Sequence, residues 1–285
     1  MSDPRSPLVG VDIGGTKMLM VAQWPDRVVS ERVPTGLGMA QDRVEASIRA
    51  FLARLPAPPA ALGLAVPGLV DERGEVVACV GPPPLLGWRP RADTFGVGCP
   101  MIVLNDAEAA LLEETRDLAG VSAALVIVGT WVGASFMERG RVLRGARGWS
   151  GELGSIPIAA EQGVRPLDAL ASGAALVGRL GVDGATLAAR AAAGDRAILA
   201  AIADAGTMLG LGLAGVVNLL NPELLILGGG TAALPGYLDA ALDSAERHAL
   251  PVAWQCCAVR RARAAENVVA LGAAHAAAQA AGSPT

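Results

Sequence analysis

The sequence predicts an α/β fold made of two similar halves with a ligand-binding cleft between them. Apolar segments with strand-like alternation are interspersed along the chain with segments of helical periodicity. A strand–turn–strand hairpin near the start of the chain is repeated after residue 121. Mixed sheets with crossover helices in two halves indicate a two-domain α/β chain, in which ligands bind beyond the carboxyl ends of the strands.

The first half is predicted to hold a three-stranded hairpin unit, a helix, two buried strands and a second helix. The predicted strands are 8–10, 18–22, 28–33, 61–66 and 101–104, and the predicted helices are 42–55 and 107–118. In the second half, the predicted strands are 123–128, 132–137, 141–143 and 224–227. The predicted helices there are 166–180, 185–193, 196–220 and 264–281.

The composition argues against several classes of protein. The net charge of −4 on 285 residues comes without a basic block, so nucleic acid is not the expected partner. Hydrophobic residues make up 52% of the chain, yet no apolar run reaches the roughly 18 residues of a membrane span. Residues 1–7 lack the apolar region of a signal peptide. We therefore expect a cytoplasmic protein with no membrane partner.

The supply of cysteine and histidine limits the chemistry. The four cysteines, at positions 79, 99, 256 and 257, form no C-x-x-C pair, so free thiols in a reducing compartment are expected. The two histidines, His248 and His275, lie in alanine-rich helical stretches, where a packing or surface role is typical. Acid–base chemistry must therefore fall to carboxylates.

The turn of the first hairpin has the composition of an anion-binding loop. Gly14 and Gly15 permit close approach of the backbone, and the Thr16 hydroxyl and Lys17 ammonium favour negative charge. Asp12, at the mouth of the same turn, suits a hydrated divalent cation. The loop is neither a Walker loop nor a G-x-G-x-x-G motif. Two interpretations remain open: a metal–nucleotide phosphate site, or a tight turn without a ligand.

Two further carboxylates are candidates for the chemistry. Asp106 follows a buried strand and starts a helix, so it is either an N-cap or a general base for a substrate hydroxyl, and Asn105 could equally be the cap. Glu152 lies in a glycine-rich loop, where it could bind adjacent hydroxyls or remain solvated. Two more glycine-containing loops, 129–130 and 228–230, also follow buried strands.

The order of these motifs resembles the ROK family of sugar kinases (repressors, open reading frames, kinases), which belongs to the actin–hexokinase superfamily. The similarity extends over nearly the whole chain. The matching segments are, in chain order, 12–17, 66–71, 87–88, 105–107, 144–154, 217–223 with 227–230, and 270–274. The resemblance implies a two-domain actin-like (ribonuclease H-like) ATPase fold. It implies an N-terminal domain of 1–107 plus 265–285, and a C-terminal domain of 108–264 that mediates homodimerisation.

The resemblance also implies a glucokinase-like reaction, in which ATP phosphorylates a sugar hydroxyl. Asp106 is then the general base, and Asp12 holds Mg²⁺ through water. The residues implied to bind nucleotide and phosphate are Asp12, Gly14, Gly15, Thr16, Lys17, Thr130, Gly133, Gly228 and Gly229. The residues implied to contact the sugar are Gly68, Asn105, Asp106 and Glu152.

The sequence departs from the family pattern at the zinc site and at the sugar contacts. Ser155 stands where the family has a zinc-binding histidine, and residues 161–166 replace its cysteine segment, so we expect no zinc. The lost histidine normally touches the sugar as well. Asp168 replaces a glutamate, and Pro84 replaces an asparagine, among the family's sugar contacts. These changes weaken the case for glucose and leave the sugar, the hydroxyl and the phosphoryl donor open.

The second phosphate loop carries Trp131 where the family has glycine. This tryptophan either crowds the phosphates or turns aside and leaves only the Thr130 contact. A rival hypothesis is therefore a catalytically impaired sugar- or nucleotide-binding regulator of the same fold. The family's repressors carry a helix-turn-helix before the first phosphate loop. Only eleven residues precede Asp12 here, so we do not expect the DNA-binding form.

Overall fold

The structure is a computed structural model that describes residues 6–36, 39–79, 84–160, 163–263 and 265–282. The chain forms two compact units. Unit 1 comprises Met1–Asp117, Arg144–Trp149 and Ala264–Thr285, and unit 2 comprises Leu118–Leu143 and Ser150–Arg263. The domain boundaries predicted from the sequence stay a prediction.

Unit 1 is built on a five-stranded mixed sheet. Its strands are β1 (Leu8–Ile13), β2 (Lys17–Gln23), β3 (Val28–Pro34), β4 (Ala61–Val66) and β7 (Met101–Asn105). They lie in the order β3-β2-β1-β4-β7. The hairpin strands β1, β2 and β3 pair antiparallel, whereas β1, β4 and β7 run parallel. Two short strands, β5 (Leu69–Val70) and β6 (Val76–Ala78), pair antiparallel beside it.

Helices cover both faces of this sheet. Alternate residues of β1, such as Val9 and Val11, pack in one core with helix α1 (Gln41–Ala53). The opposite face carries helix α9 (Val268–Gly282), which in turn contacts α2 (Asp106–Glu114). Between these two helices, His275 Nδ1 lies 2.7 Å from Glu113 Oε2, and both side chains are largely buried.

The backbone of α9 lies directly on the sheet because the facing strand residues are glycines. A Cβ atom at Gly10 would lie 1.7 Å from the Ala270 carbonyl oxygen, and one at Gly63 would lie 1.9 Å from that of Ala273. Both distances are far below van der Waals contact, so no other residue fits at these positions without moving the helix.

Unit 2 repeats the topology of the first sheet. Its strands are β8 (Ala123–Val128), β9 (Val132–Glu138), β10 (Arg141–Val142), β13 (Leu224–Gly228) and β14 (Ala258–Arg261). They lie in the order β10-β9-β8-β13-β14, with an antiparallel hairpin unit on one side and parallel strands on the other. The internal duplication predicted from the two hairpins is thus present in the strand order.

Six α-helices, a short 3-10 helix (Leu153–Ser155) and a small hairpin complete the described part of unit 2. The helices are α3 (Asp168–Ala171), α4 (Gly173–Leu180), α5 (Gly184–Ala192), α6 (Arg196–Leu220), α7 (Tyr237–His248) and α8 (Pro251–Gln255). The hairpin joins β11 (Pro157–Ala160) to β12 (Gly163–Pro166). Within the described ranges, α6 is the one helix long and apolar enough to cross a membrane by length and composition. Because 56% of its apolar stretch is buried, α6 has equally the properties of a central helix in a folded domain.

The predicted helix over 166–180 is wrong, because the chain breaks in its middle. Ser172 is extended, with ψ of 165°, and its hydroxyl accepts from the Ala175 N–H as the N-cap of α4. Gly173 lies so close to the second hairpin that a Cβ would be 2.7 Å from the Gly129 carbonyl oxygen. The strands and α-helices that were not predicted are β5, β6, β11, β12, β14, α7 and α8.

Candidate active site

Strand register brings Asp12 and Asp106 to the same end of the unit 1 sheet. Asp12 pairs with Ala65 of β4, and the next residue of β4, Val66, pairs with Asn105 at the end of β7. Asp106 follows at once as the first residue of α2. Asp12 is thus near the carboxyl end of β1 and Asp106 directly follows β7, and only β4 lies between these two parallel strands, as the strand-end rule for α/β sheets predicts.

The electrostatics of Asp12 reflect this neighbourhood. Burial and the nearby Asp106 carboxylate raise the pKa of Asp12 to about 7, and the Lys17 ammonium opposes the rise. Besides burial, the raised pKa reflects repulsion between the two carboxylates. A divalent cation beside them would relieve this repulsion. The pair would therefore suit a hydrated Mg²⁺ ion, which Asp12 would hold through water.

The N-cap of α2 is Asn105, which resolves one alternative for Asp106. The Asn105 Oδ1 accepts from the backbone N–H of Ala107 at 2.8 Å and of Glu108 at 3.4 Å. Its Nδ2 donates to the Gly68 carbonyl at 2.9 Å. Asp106 Oδ1 shares the Ala107 N–H at 2.8 Å. Since Asn105 performs the capping, the helix does not require Asp106 for it.

Gly68 is held in a conformation that favours glycine. Its φ is +137°, and a Cβ there would lie 2.1 Å from the Ala78 carbonyl oxygen. The Asn105 amide that binds its carbonyl ties this loop to the start of α2. Gly68 and Asn105, both predicted sugar contacts, are thus adjacent in unit 1.

The first loop is a tight turn whose lysine is engaged at the surface. The Gly14 N–H donates to the Lys17 carbonyl at 2.9 Å, and a Cβ at Gly14 would lie 2.9 Å from the same oxygen. The Lys17 Nζ lies 3.3 Å from Glu266 Oε1, and Glu266 also pairs with Arg32. Lys17 therefore has a carboxylate partner that would compete with a phosphate for its charge.

In unit 2, the predicted phosphate-loop and adenosine-side residues gather at one end of the sheet. Ile127 of β8 lies between Gly133 of β9 and Gly228 of β13. Thr130 follows β8, and Gly229 follows β13 with a φ of +101°. A Cβ at Gly229 would lie 2.3 Å from the Val128 carbonyl oxygen, so the two loops touch through their backbones.

Trp131 is about half exposed, at 51%, whereas Val132 beside it is buried. The loop itself is held by its backbone, because the Gly129 N–H donates to the Trp131 carbonyl at 3.0 Å and the Thr130 carbonyl accepts from Ala174 N–H at 3.1 Å. The ring therefore does not fill the core of unit 2.

Glu152 lies beside a second carboxylate, that of Asp168. Partial burial and the Asp168 charge raise the pKa of Glu152, and burial raises the pKa of Asp168. The Asp168 Oδ1 accepts from the Val132 N–H at 2.6 Å. A Cβ at Gly154 would lie 2.5 Å from Asp168 Oδ2. The sequence had marked Asp168 only as an altered sugar contact, and nothing local in the sequence predicts its bond to Val132.

In the part of the chain that the structure describes, no group of three or more His, Cys, Asp or Glu side chains could hold a metal ion. Ser155, in the position of the family's histidine, is exposed. Residues 161 and 162 of the segment that replaces the cysteines lie outside the described ranges. The absence of zinc stays a prediction.

Comparison with known proteins places these motifs in a family. The model of the ROK family matches residues 8–280. The bifunctional enzyme NanE/NanK of Brucella suis biovar 1 is 30% identical over 261 residues, covering 86% of this chain and 49% of its own length. The chain thus spans about half the length of the first curated relatives it matches.

Two solved structures support the same assignment. The ROK hexokinase of Thermus thermophilus is 31% identical, with a TM-score of 0.78 over 94% of this chain and 96% of its own. The ROK glucokinase of Streptomyces griseus, in complex with glucose and AMPPNP, is 25% identical, with a TM-score of 0.75 over 96% of this chain and 100% of its own. The predicted fold, that of the actin-like ATPases, is confirmed. With a family model matched over nearly its whole length and the duplicated sheet in place, this chain belongs to the ROK family.

Proposed function

We propose that this chain is a sugar kinase that transfers the γ-phosphoryl group of ATP to a hydroxyl of a hexose or N-acetylhexosamine. The observation that carries the proposal is the electrostatic interaction of Asp12 with Asp106 near the strand ends. Because Asn105 caps α2, the helix does not need Asp106 for that purpose. The similarity to a hexokinase and to a glucokinase in complex with glucose and AMPPNP supports the same reaction.

Asp106 acts as the general base in this scheme. It accepts the proton of the substrate hydroxyl as that oxygen attacks the γ-phosphorus in line with the departing ADP oxygen. Asp12 would hold Mg²⁺ through water, and the bound ion would neutralise charge on the phosphates. Because the pKa of Asp12 is raised to about 7, a proton and Mg²⁺ would compete for this carboxylate.

Nucleotide contacts are proposed separately for each unit. In unit 1, Gly14, Gly15 and Thr16 orient the phosphates, and Lys17 adds positive charge once it leaves Glu266. In unit 2, Thr130 and Gly133 contribute to the second phosphate loop, and Gly228 and Gly229 line the adenosine pocket. Backbone amides suit this task because they offer donors without a side chain in the way.

The residues proposed to bind sugar hydroxyls are Asn105, beside Gly68 in unit 1, and Glu152 in unit 2. Asn105 uses its Oδ1 and one amide hydrogen within unit 1, which leaves the second amide hydrogen to donate to a hydroxyl. Glu152 accepts from hydroxyls as a carboxylate, and two adjacent hydroxyls can share its two oxygens.

Localisation, zinc content, oligomeric state, partners and domain bounds are also part of the proposal. We infer a cytoplasmic, zinc-free homodimer without a nucleic-acid or membrane partner, with domains at 1–107 plus 265–285 and at 108–264. Because the chain spans about half of its first curated relatives, the substrates and partners of the whole protein are part of the proposal.

A non-catalytic sugar- or nucleotide-binding regulator is the second candidate. The altered sugar contacts, including Asp168, and the exposed Trp131 beside the second phosphate loop favour it. The presence of Asp12, Asp106 and Glu152 together favours the kinase, since a binding protein needs no general base.

An ATP-consumption screen over hexoses, N-acetylhexosamines and polyols tests the proposal, with Asp106→Asn as the matched control. The kinase predicts turnover of at least one acceptor by the wild type and its loss in Asp106→Asn, with unchanged nucleotide binding. Turnover of Asp106→Asn at the wild-type rate would refute the role of Asp106. No turnover on any acceptor, with no rise in melting temperature on adding nucleotide, would favour the regulator.

A further inference from the structure

A threonine beyond the end of β3 holds the backbone of the first loop. Thr35 directly follows β3, which pairs with β2 as far as the Lys17–Pro34 pair. The Thr35 N–H donates to the Thr16 carbonyl at 3.0 Å, and its hydroxyl donates to the Gly14 carbonyl at 2.7 Å. One residue outside the loop thus fixes two of the loop's carbonyls.

Fixing a carbonyl also fixes the amide on the same peptide unit. A trans peptide is planar, and its C=O and N–H point in opposite directions. Because the Gly14 carbonyl points to the Thr35 hydroxyl, the N–H of Gly15 points away from Thr35. None of the hydrogen bonds found in the described ranges is donated by the Gly15 amide. This donor is therefore held in one direction and is available to a ligand.

Of these two hydrogen bonds, the one donated by the hydroxyl depends on which side chain stands at position 35. The bond from the Thr35 N–H continues the β2–β3 ladder, so any residue except proline could make it. The bond to the Gly14 carbonyl needs a side-chain donor at the right length, which among small residues only threonine and serine supply.

We propose that Thr35 is a positioning residue for nucleotide binding, which pins the Gly14 carbonyl so that the Gly15 N–H faces the phosphates of the bound nucleotide. The inference rests on the proposed kinase function. An amide that is oriented before the ligand arrives loses less freedom on binding, so its hydrogen bond contributes more to affinity.

Two substitutions of Thr35 distinguish the effect of its hydroxyl on nucleotide binding from the effect of its branched shape. Thr35→Val keeps the branched shape and removes the donor, whereas Thr35→Ser keeps the donor. We expect Thr35→Val to raise the Kd for AMPPNP and the KM for ATP about tenfold, the loss expected for one hydrogen bond to a charged group. The KM for the sugar should stay within about twofold, and Thr35→Ser should bind AMPPNP nearly as the wild type does.

A matched control makes the same chemical change elsewhere. Thr207 of α6, in unit 2, donates its hydroxyl to the Ala203 carbonyl at 3.0 Å. Thr207→Val should leave the Kd for AMPPNP unchanged. A wild-type Kd for Thr35→Val in an active enzyme, or a Kd for Thr35→Ser as weak as that for Thr35→Val, would overturn the role of the hydroxyl. Failure of the wild type to bind AMPPNP would instead overturn the kinase function itself.

A spectroscopic readout on the unmodified protein covers the case in which Thr35→Val does not fold. In wild-type protein labelled with ¹⁵N at glycine, the Gly15 amide resonance should shift on titration with AMPPNP. A Gly15 resonance that stays in place while the nucleotide binds would overturn the proposal.

Discussion

The carboxylate of Asp168 accepts a 2.6 Å hydrogen bond from the backbone N–H of Val132, the first residue of β9. The same carboxylate lies against Gly154 and, by its charge, contributes to the raised pKa of Glu152. One side chain therefore links the second phosphate loop to the segment that carries the proposed sugar-binding glutamate.

Asp168→Asn should change the pH dependence of sugar binding. Glu152 binds hydroxyls as a carboxylate, so sugar affinity falls as the pH drops through its pKa, which lies above the usual range. Removal of the Asp168 charge lowers the pKa of Glu152, and the fall in affinity moves to lower pH. The check is the KM for the sugar across acidic and neutral pH in both proteins, and identical profiles would contradict the coupling.

Asp12→Asn should stabilise the fold while it abolishes turnover. The pKa of Asp12 rises from 3.8 to about 7 on folding, so the folded protein binds this proton more tightly than the unfolded chain does. Stability therefore decreases as the pH rises from about 4 to 7, and the full penalty is present above pH 7. Asp12→Asn avoids this penalty, so its free energy of unfolding should exceed that of the wild type by about a few kcal/mol at most.

Urea unfolding at acidic and at mildly alkaline pH measures this effect. The variant should exceed the wild type in stability at the alkaline pH and approach it at the acidic one. Asp26→Asn, which changes an exposed carboxyl in the β2–β3 turn, is the matched control. Equal stability of Asp12→Asn and wild type at alkaline pH would mean that Asp12 carries no such penalty.

Gly63→Ala should severely destabilise unit 1. The added methyl group would lie 1.9 Å from the Ala273 carbonyl oxygen, so α9 must move off the sheet. We expect a loss of more than about 3 kcal/mol in the free energy of unfolding, or failure to fold. Gly98→Ala is the control, because a Cβ there meets nothing within 4 Å. Similar melting temperatures for the two variants would contradict the close packing.

Tyr237→Phe should weaken unit 2 without touching the proposed chemistry. The Tyr237 hydroxyl donates to the Ala171 carbonyl at 2.6 Å in a fully buried position. Its removal leaves that carbonyl without this donor, which costs about 1–3 kcal/mol. Chemical denaturation should show this loss, with KM values unchanged. A variant as stable as the wild type would indicate that water replaces the hydroxyl.

Long periodic segments could be predicted from the sequence because local composition decides them. Helix α6 and strands β4 and β8 occur where the pattern placed them, since burial along their length leaves a clear apolar signature. The helix predicted over 166–180 failed because the break at Ser172 is imposed by contact of Gly173 with Gly129, some forty residues earlier in the chain. A pattern read along one segment contains no information about such a contact.

The candidate site also has features that the sequence predicts and features that it does not. That Asp12 and Asp106 belong together followed from the rule that parallel strands present their carboxyl ends at one edge. The roles of Thr35 and Glu266 could not be predicted, because each depends on a partner that the fold alone brings near. Glu266 reaches Lys17 across 249 residues of chain.

The position of α9 has a consequence for how the protein is made. This helix covers one face of a sheet whose strands all lie within the first 105 residues, yet it begins at Val268. On the ribosome, that face and its glycines stay uncovered until α9 has been synthesised, which happens after every segment of unit 2. Unit 2 can therefore fold while unit 1 still lacks the helix that covers one face of its sheet.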